Sequence, residues 1–313
     1  MASDERKTLL AVTLSNIGDV ILTTPVLANF RARFPHSRLT VVVGPKAEGL
    51  LKGSRLIDRL LVYDKWAGWR HKLALVRALR EETYDYVVDL RNSALPFLVR
   101  AIHRSSVFRT FRSRSARGQH LEILERMHLL ENGKEAPPPR FDFFSAEEEA
   151  SLSEKLRRKG FDLSSPWMVV APGAGSEAKR WPIEGFCQAL DRLLTTSSHF
   201  VAAVGDTNEK LLGAKLAEIN PRRIVNLAGE ITLRELAALV ARSSLVLTND
   251  SAVMHLGYEL NRPVVALFGP TDPERYGREG KIWRIVREPS LAEIASEKVV
   301  EVCSKLLHPI SSP

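Results

Sequence analysis

The chain has 313 residues, 44% hydrophobic and 26% charged, an ordinary globular balance long enough for two domains. Its net charge of +8 suits nucleic acid, an anionic membrane surface or a phosphorylated substrate equally, so charge selects no partner. No apolar run reaches the ~18 residues that cross a bilayer, the charged start MASDERK does not read as a signal peptide, and Cys187 and Cys303 have neither metal-ligand nor redox spacing, so a cytoplasmic chain with reduced, packed thiols is expected.

In chain order, the apolar run Lys7–Leu14 reads as a buried strand, and VILTTPVLANF reads as a helix. Asp19 stands at the joint between them. One reading makes it the helix N-cap, for which Asp is well suited; the other makes it a carboxylate facing a ligand at the carboxyl edge of a central strand. Strands follow at Leu39–Gly44, Ile57–Asp64 and Tyr84–Leu90, with helical stretches such as HKLALVRALREE between, an alternation that predicts βαβ units on a parallel sheet. From Arg100 to Gly118 there are six arginines and no acid, and the interleaved Phe108 and Phe111 suggest a strand with cations on one side.

Three consecutive prolines in Glu131–Arg140 suggest a linker, giving domains 1–140 and 141–313. An exposed helix with early acids and late bases is expected next, ended by Gly160. Strands then read at Trp167–Ala171, His199–Gly205, Arg223–Leu227, Leu245–Thr248 and Pro263–Phe268. Helices read at Pro182–Leu194, Asn208–Ile219, Thr232–Ala241 and Ser251–Leu260. A last helical stretch, 291–307, suits packing on either half.

Ligands of open parallel sheets gather outside the carboxyl ends of the strands. In APGAGSEAKRWPIEGF, Gly173 and Gly175 allow a tight turn with free N–H groups, Pro182 suits the first helical position, and Lys179 and Arg180 stand just before it. This is a diphosphate cradle or a plain turn with surface bases, and the segment alone supports both. GAGSEA matches the dinucleotide fingerprint formally, yet its helix begins too late and Asp191 lies inside that helix, so a nicotinamide dehydrogenase fits poorly. Asn249, Asp250 and Ser251 close a strand and open a helix, with Asp or Ser as N-cap or as ligand group. His255 lies a turn on, and FGPTDP adds Thr271. Without an Asp-x-Asp pair or a His/Cys cluster, metal chemistry has no support, and a lone general base is the simplest mechanism.

Together, IGDV, PGAGSEAKRWP, and NDSAVMH followed by RPVVALFGPTDP resemble the hallmarks of glycosyltransferase family nine, the bacterial heptosyltransferases of the lipopolysaccharide inner core. The resemblance implies a GT-B α/β architecture, two Rossmann-like domains with parallel sheets facing across a cleft. It implies an acceptor on the first domain, ADP-heptose on the second, inversion at the anomeric carbon and no cofactor. Asp19 matches the catalytic aspartate, Lys179 the lysine meeting donor phosphates and Asp250 the acid of the nucleotide motif. Gly173, Gly175, Ser176, Ser251, Ala252, His255 and Thr271 match donor-side positions. Gly18, Thr23, Arg109, Arg112 and Arg114 fall on the acceptor side, where the arginines suit a lipid A–Kdo acceptor at the anionic cytoplasmic face of the inner membrane. One departure is Ala252–Val253, where the family usually has Gly-Pro; the added methyl crowds a phosphate or sugar and leaves another nucleotide sugar as an alternative. A non-catalytic nucleotide-sugar binder is a further alternative, against which Asp19 and Lys179 both speak. Nucleic-acid binding rests on charge alone, with no recognition motif.

Overall fold

The computed structural model describes residues 6–130 and 139–307. They divide into two compact units with the boundary between Phe143 and Phe144. The expected linker, 131–140, lies outside the described residues up to position 138.

The first unit runs β1 (Thr8–Val12), α1 (Ile17–Arg33), β2 (Arg38–Val43), α2 (Glu48–Leu51), β3 (Arg59–Val62), α3 (Trp69–Arg80), β4 (Thr83–Asp89), α4 (Leu95–Leu98), β5 (Arg100–Arg104) and α5 (Ala116–Arg126). All pairings are parallel, in the order β3-β2-β1-β4-β5. A parallel sheet covered on both faces needs continuous rather than alternating apolar strands. β1 and β2 meet this requirement, with nearly every residue buried. Leu75 and Leu79 of α3 join Leu95 of α4 in one cluster over Leu10, Val12, Val42 and Val87, so these two helices share a face of the sheet.

The second unit runs α6 (Ala146–Arg158), β6 (Trp167–Ala171), α7 (Ile183–Thr196), β7 (Phe200–Ala203), α8 (Lys210–Ile219), β8 (Ile224–Asn226), α9 (Leu233–Arg242), β9 (Leu245–Asn249), α10 (Ala252–Glu259), β10 (Val264–Phe268), α11 (Pro273–Tyr276), β11 (Trp283–Arg287) and α12 (Ser296–Leu307). Its six parallel strands are ordered β11-β10-β9-β6-β7-β8. Each sheet reverses strand order once, between β1 and β4 and between β6 and β9. These reversals are the switch points where doubly wound sheets receive ligands.

Three expectations change. The arginine run is a strand only at its first five residues, because β5 is an edge strand that ends at Arg104; Phe108 and Phe111 lie beyond it. Helix α6 is not free-standing: Leu152 and Leu156 are buried, Lys155 pairs with Glu235 of α9 at 2.7 Å and Glu148 with Arg234 at 2.7 Å. The final stretch breaks before Ser296, and α12 buries Val299 and Cys303 in the second unit's own core beside α7. Burial pushes the Cys303 thiol up to about 12 and keeps it protonated. No helix among the described residues is long and apolar enough to cross a membrane.

Candidate active site

At the first unit's switch point, β1 and β4 are adjacent, with Val12 opposite Asp89. The chain leaves β1 with the Thr13 hydroxyl donating to the Val42 carbonyl at 2.9 Å. It then passes so close to Gly44 that a Cβ there would sit 2.6 Å from Ser15 Cα, and only glycine fits. Helix α1 opens at Ile17 with Asn16 in the capping position, so Asp19 is not the N-cap. It occupies the third helical position, half-buried, where an acid complements the helix dipole. Its carboxylate accepts from Asn16 Nδ2 at 3.0 Å.

At the end of β4, the buried Asp89 carboxylate accepts from the backbone N–H groups of Arg91 and Ser93 and folds the post-β4 loop. That loop lays Arg91 over the Tyr63 ring at 4.9 Å. Of the other acceptor-side residues, Gly18 lies half-buried in the first turn of α1. Thr23 is excluded as a ligand group: it is fully buried, and its hydroxyl donates to the Val20 carbonyl. Arg112 pairs with Glu125 at 2.5 Å and Glu122 at 3.5 Å, and Arg109 is half-buried with its Nε donating to the Ser106 carbonyl. Arg114 is exposed.

In the second unit, β6 and β9 lie side by side, Ala171 opposite Thr248, which brings their following loops together. Fully buried Asn249 ties the two loops. Its Oδ1 accepts from Trp181 N–H at 3.0 Å, and its Nδ2 donates to the carbonyls of Pro172 at 2.8 Å and Gly173 at 3.3 Å. Trp181 anchors the far end, its indole N–H donating to the Ile294 carbonyl at 3.1 Å. Between these anchors Lys179 ends a short 3-10 turn, and its Nζ lies 2.7 Å from Asp250 Oδ2. The ammonium is also 5.7 Å from the Tyr276 ring, which lies 6.2 Å from the buried His255 ring.

The structure thus brings Lys179, Asp250, His255 and Tyr276 together. Asp250 and Ser251 are not caps by side chain: Ser251 holds the N-cap position of α10 without a capping bond, and its hydroxyl meets Thr248 Oγ1 at 2.8 Å. Ala252 opens α10, half-buried, and Pro182 is the N-cap residue of α7 rather than its first helical residue. Thr271 carries a buried hydroxyl oxygen with no hydrogen-bond partner.

Neither glycine has a positive φ, so neither is required by a left-handed turn conformation. A Cβ at Gly173 would fall 1.7 Å from Glu209 Oε1, so this glycine permits a close approach by a carboxylate. Gly175 and Ser176 are exposed, and a Cβ at Gly175 would meet nothing within 4 Å. Glu209 accepts from Asp206 N–H at 2.9 Å, and burial pushes its carboxyl up from the ordinary value.

The second unit's switch point, with an ammonium held before a helix start, suits a phosphorylated ligand; the first unit's places an acid in the first turn of a helix. The family model for glycosyltransferase family 9 (heptosyltransferase) matches residues 72–305. The chain belongs to glycosyltransferase family 9. It is 27% identical over 297 residues to lipooligosaccharide heptosyltransferase 2 of Haemophilus influenzae, covering 85% of this chain and 84% of that one. Among solved structures it is similar to the ADP-heptose LPS heptosyltransferase II of E. coli, with TM-score 0.77, 22% identity and coverage of 96% and 98%. It is also similar to a family 9 transferase of Veillonella parvula, with TM-score 0.81, 23% identity and coverage of 96% and 97%. The two parallel doubly wound sheets are the halves of the GT-B fold class, and the chain is a glycosyltransferase.

For this family 9 member, sequence reasoning missed three residues. Glu209 carries a readable signal, the D-x-x-E capping box of DTNE at the loop after β7. Asn249 reads in sequence only as the end of a strand, because its partners lie on another loop. Tyr276 had no signal, because its contacts to Lys179 and His255 arise from separate loops.

Proposed function

We propose that the chain transfers heptose from ADP-heptose to a Kdo or heptose hydroxyl of the lipopolysaccharide inner core, with inversion and without a metal. The observation that carries this reading is Lys179, held by Asp250 at the β6/β9 switch point just before α7. An ammonium fixed in place, with the N-terminus of α10 on the neighbouring loop, stabilises the charge that grows on a departing diphosphate. The H. influenzae relative is named for heptosyl transfer and the E. coli structure for ADP-heptose, and both names support the donor.

In this mechanism Asp19 accepts the proton of the acceptor hydroxyl as its oxygen attacks the anomeric carbon. The C–O bond to ADP breaks on the opposite face, inverting the centre through an oxocarbenium-like transition state. Asn16 orients the carboxylate by its bond to one oxygen and leaves the other to take the proton. The acceptor is of the lipid A–Kdo type, and the enzyme works at the cytoplasmic face of the inner membrane. Ala252, where the family usually has glycine, puts a methyl at the first position of α10 and favours a test of the donor first.

That test is a thermal-shift titration with ADP, UDP, GDP, NAD and ADP-heptose. A ligand at 100 times its Kd stabilises a fold by about 2.7 kcal/mol. Stabilisation by ADP and ADP-heptose is expected. Preference for UDP or GDP overturns the donor, and a response to NAD alone overturns the transferase reading.

A further inference from the structure

The first unit carries a second cationic surface that the site above does not use. Trp66, Trp69 and Phe97 are 84%, 69% and 64% exposed, an unusual cost for large aromatic side chains on one covering layer. Leu73 lies one helical turn beyond Trp69 on α3 and is also exposed, as is Leu98 on α4. The two helices cover the same sheet face, and Arg80 of α3 donates to the Leu98 carbonyl, so their outer sides adjoin.

Between positions 65 and 80 stand Lys65, Arg70, Lys72, Arg77 and Arg80, all exposed, with no acid among them. Lys65 Nζ lies 4.7 Å from the Trp66 ring and the Arg70 guanidinium 5.7 Å from the Trp69 ring. The bordering carboxylates are already engaged: Asp64 accepts from Trp66 N–H, Glu81 pairs with Arg59, and Glu82 with Arg38 and Arg59.

We propose that the outer side of α3, its leading loop and α4 is a docking surface for an anionic lipid bilayer. Indole rings settle at the level of lipid headgroups, and flanking Lys and Arg are drawn to anionic lipid. An amphipathic helix of this kind lies in the interface plane with its aromatic and aliphatic side chains at the acyl boundary. Leu73 and Leu98 suit that boundary and offer a nucleic-acid base nothing to stack on. This surface rests on the proposed function for its purpose, a lipid-linked acceptor, but its chemistry is independent of donor and acceptor. Within the arginine run, by contrast, Arg112 is spent on Glu122 and Glu125.

The test is sedimentation of the full chain with phosphatidylcholine vesicles, with and without phosphatidylglycerol, in the absence of ADP-heptose and acceptor. Binding to the phosphatidylglycerol vesicles is expected, with quenching of tryptophan emission by brominated lipid chains. Trp66→Ser/Trp69→Ser and Lys65→Glu/Lys72→Glu should each weaken it by ~10-fold or more, while Arg112→Ala leaves it unchanged. An unchanged ADP thermal shift shows that the double variants are folded. Full binding by both double variants, no quenching, or retention of an RNA oligomer without vesicle binding overturns the proposal. Transfer to a water-soluble acceptor fragment is run beside it. Transfer without vesicle binding overturns the surface and leaves the proposed function standing; vesicle binding without transfer supports the surface and counts against the function.

Discussion

The two switch points differ in how firmly they hold their polar groups. At β6/β9, fully buried Asn249 fastens two loops, Trp181 anchors one of them twice, and Lys179 is paired with a nearly buried Asp250. At β1/β4, Asp19 is half-buried and joined to Asn16, an exposed neighbour one turn away. A group that stabilises developing charge gains from being fixed beforehand, because no reorganisation is left for the transition state. A general base must keep an oxygen open to its substrate and tolerate a proton. The contrast fits the roles proposed above, Lys179 as a fixed charge on the donor side and Asp19 as a general base.

The largest effect that breaks this comparison is Asp19→Asn. Turnover should fall ~100-fold or more, with thermal midpoint and ADP affinity unchanged. Near-normal turnover would reduce Asp19 to a dipole partner of α1. Lys179→Ala should weaken ADP ~10–100-fold in a calorimetric titration, the worth of a hydrogen bond to a charged group; unchanged affinity removes its phosphate role. Asn249→Ala strands the Trp181 N–H and the Pro172 carbonyl, and should cost about 1–3 kcal/mol in denaturant unfolding while ADP binding weakens with it. Asn16→Ala, on the exposed side of the comparison, should leave stability within about 0.5 kcal/mol. Equal losses in these two asparagine variants would erase the contrast in rigidity.

A further effect is a pH dependence through Glu148 of the second unit. Burial opposes the charge of Glu148, but bonds from Arg234 and Ser145 outweigh it and hold the carboxyl at about 2. Because the folded value lies below the unfolded value of about 4.3, this contribution is complete above that pH. It is lost as pH falls from there through about 2. Glu148→Gln should make the fall of the thermal midpoint over that window shallower, with the effect reduced by solvent screening at a partly exposed site and by the other carboxylates that titrate there.

Most of the strands and helices, and the segments that follow β1, β6, β9 and β10, were legible because period and turn chemistry are local. Edge strand β11 was not, and β5 was legible only as part of a longer arginine run, since an edge position relaxes the need for apolar residues: two of five residues in β11 and three of five in β5 are arginine or histidine. The close approach at Gly173 was not legible either, because its neighbour comes from a distant segment. Gly173 looks like a turn residue until Glu209 arrives from the loop after β7.

By itself the sequence determined the two doubly wound halves, the post-strand motifs and the family they resemble, because each is written within one segment. Only the tertiary structure decided that Asp19 is no cap, that Lys179 meets Asp250, that Thr23 is sealed inside the first unit, and that Arg112 is paired with two acids while Lys65 and Arg70 stand beside exposed tryptophans. Those outcomes depend on which distant side chain reaches a group first, and pairing, burial and exposure are properties of the packed chain rather than of any segment in it.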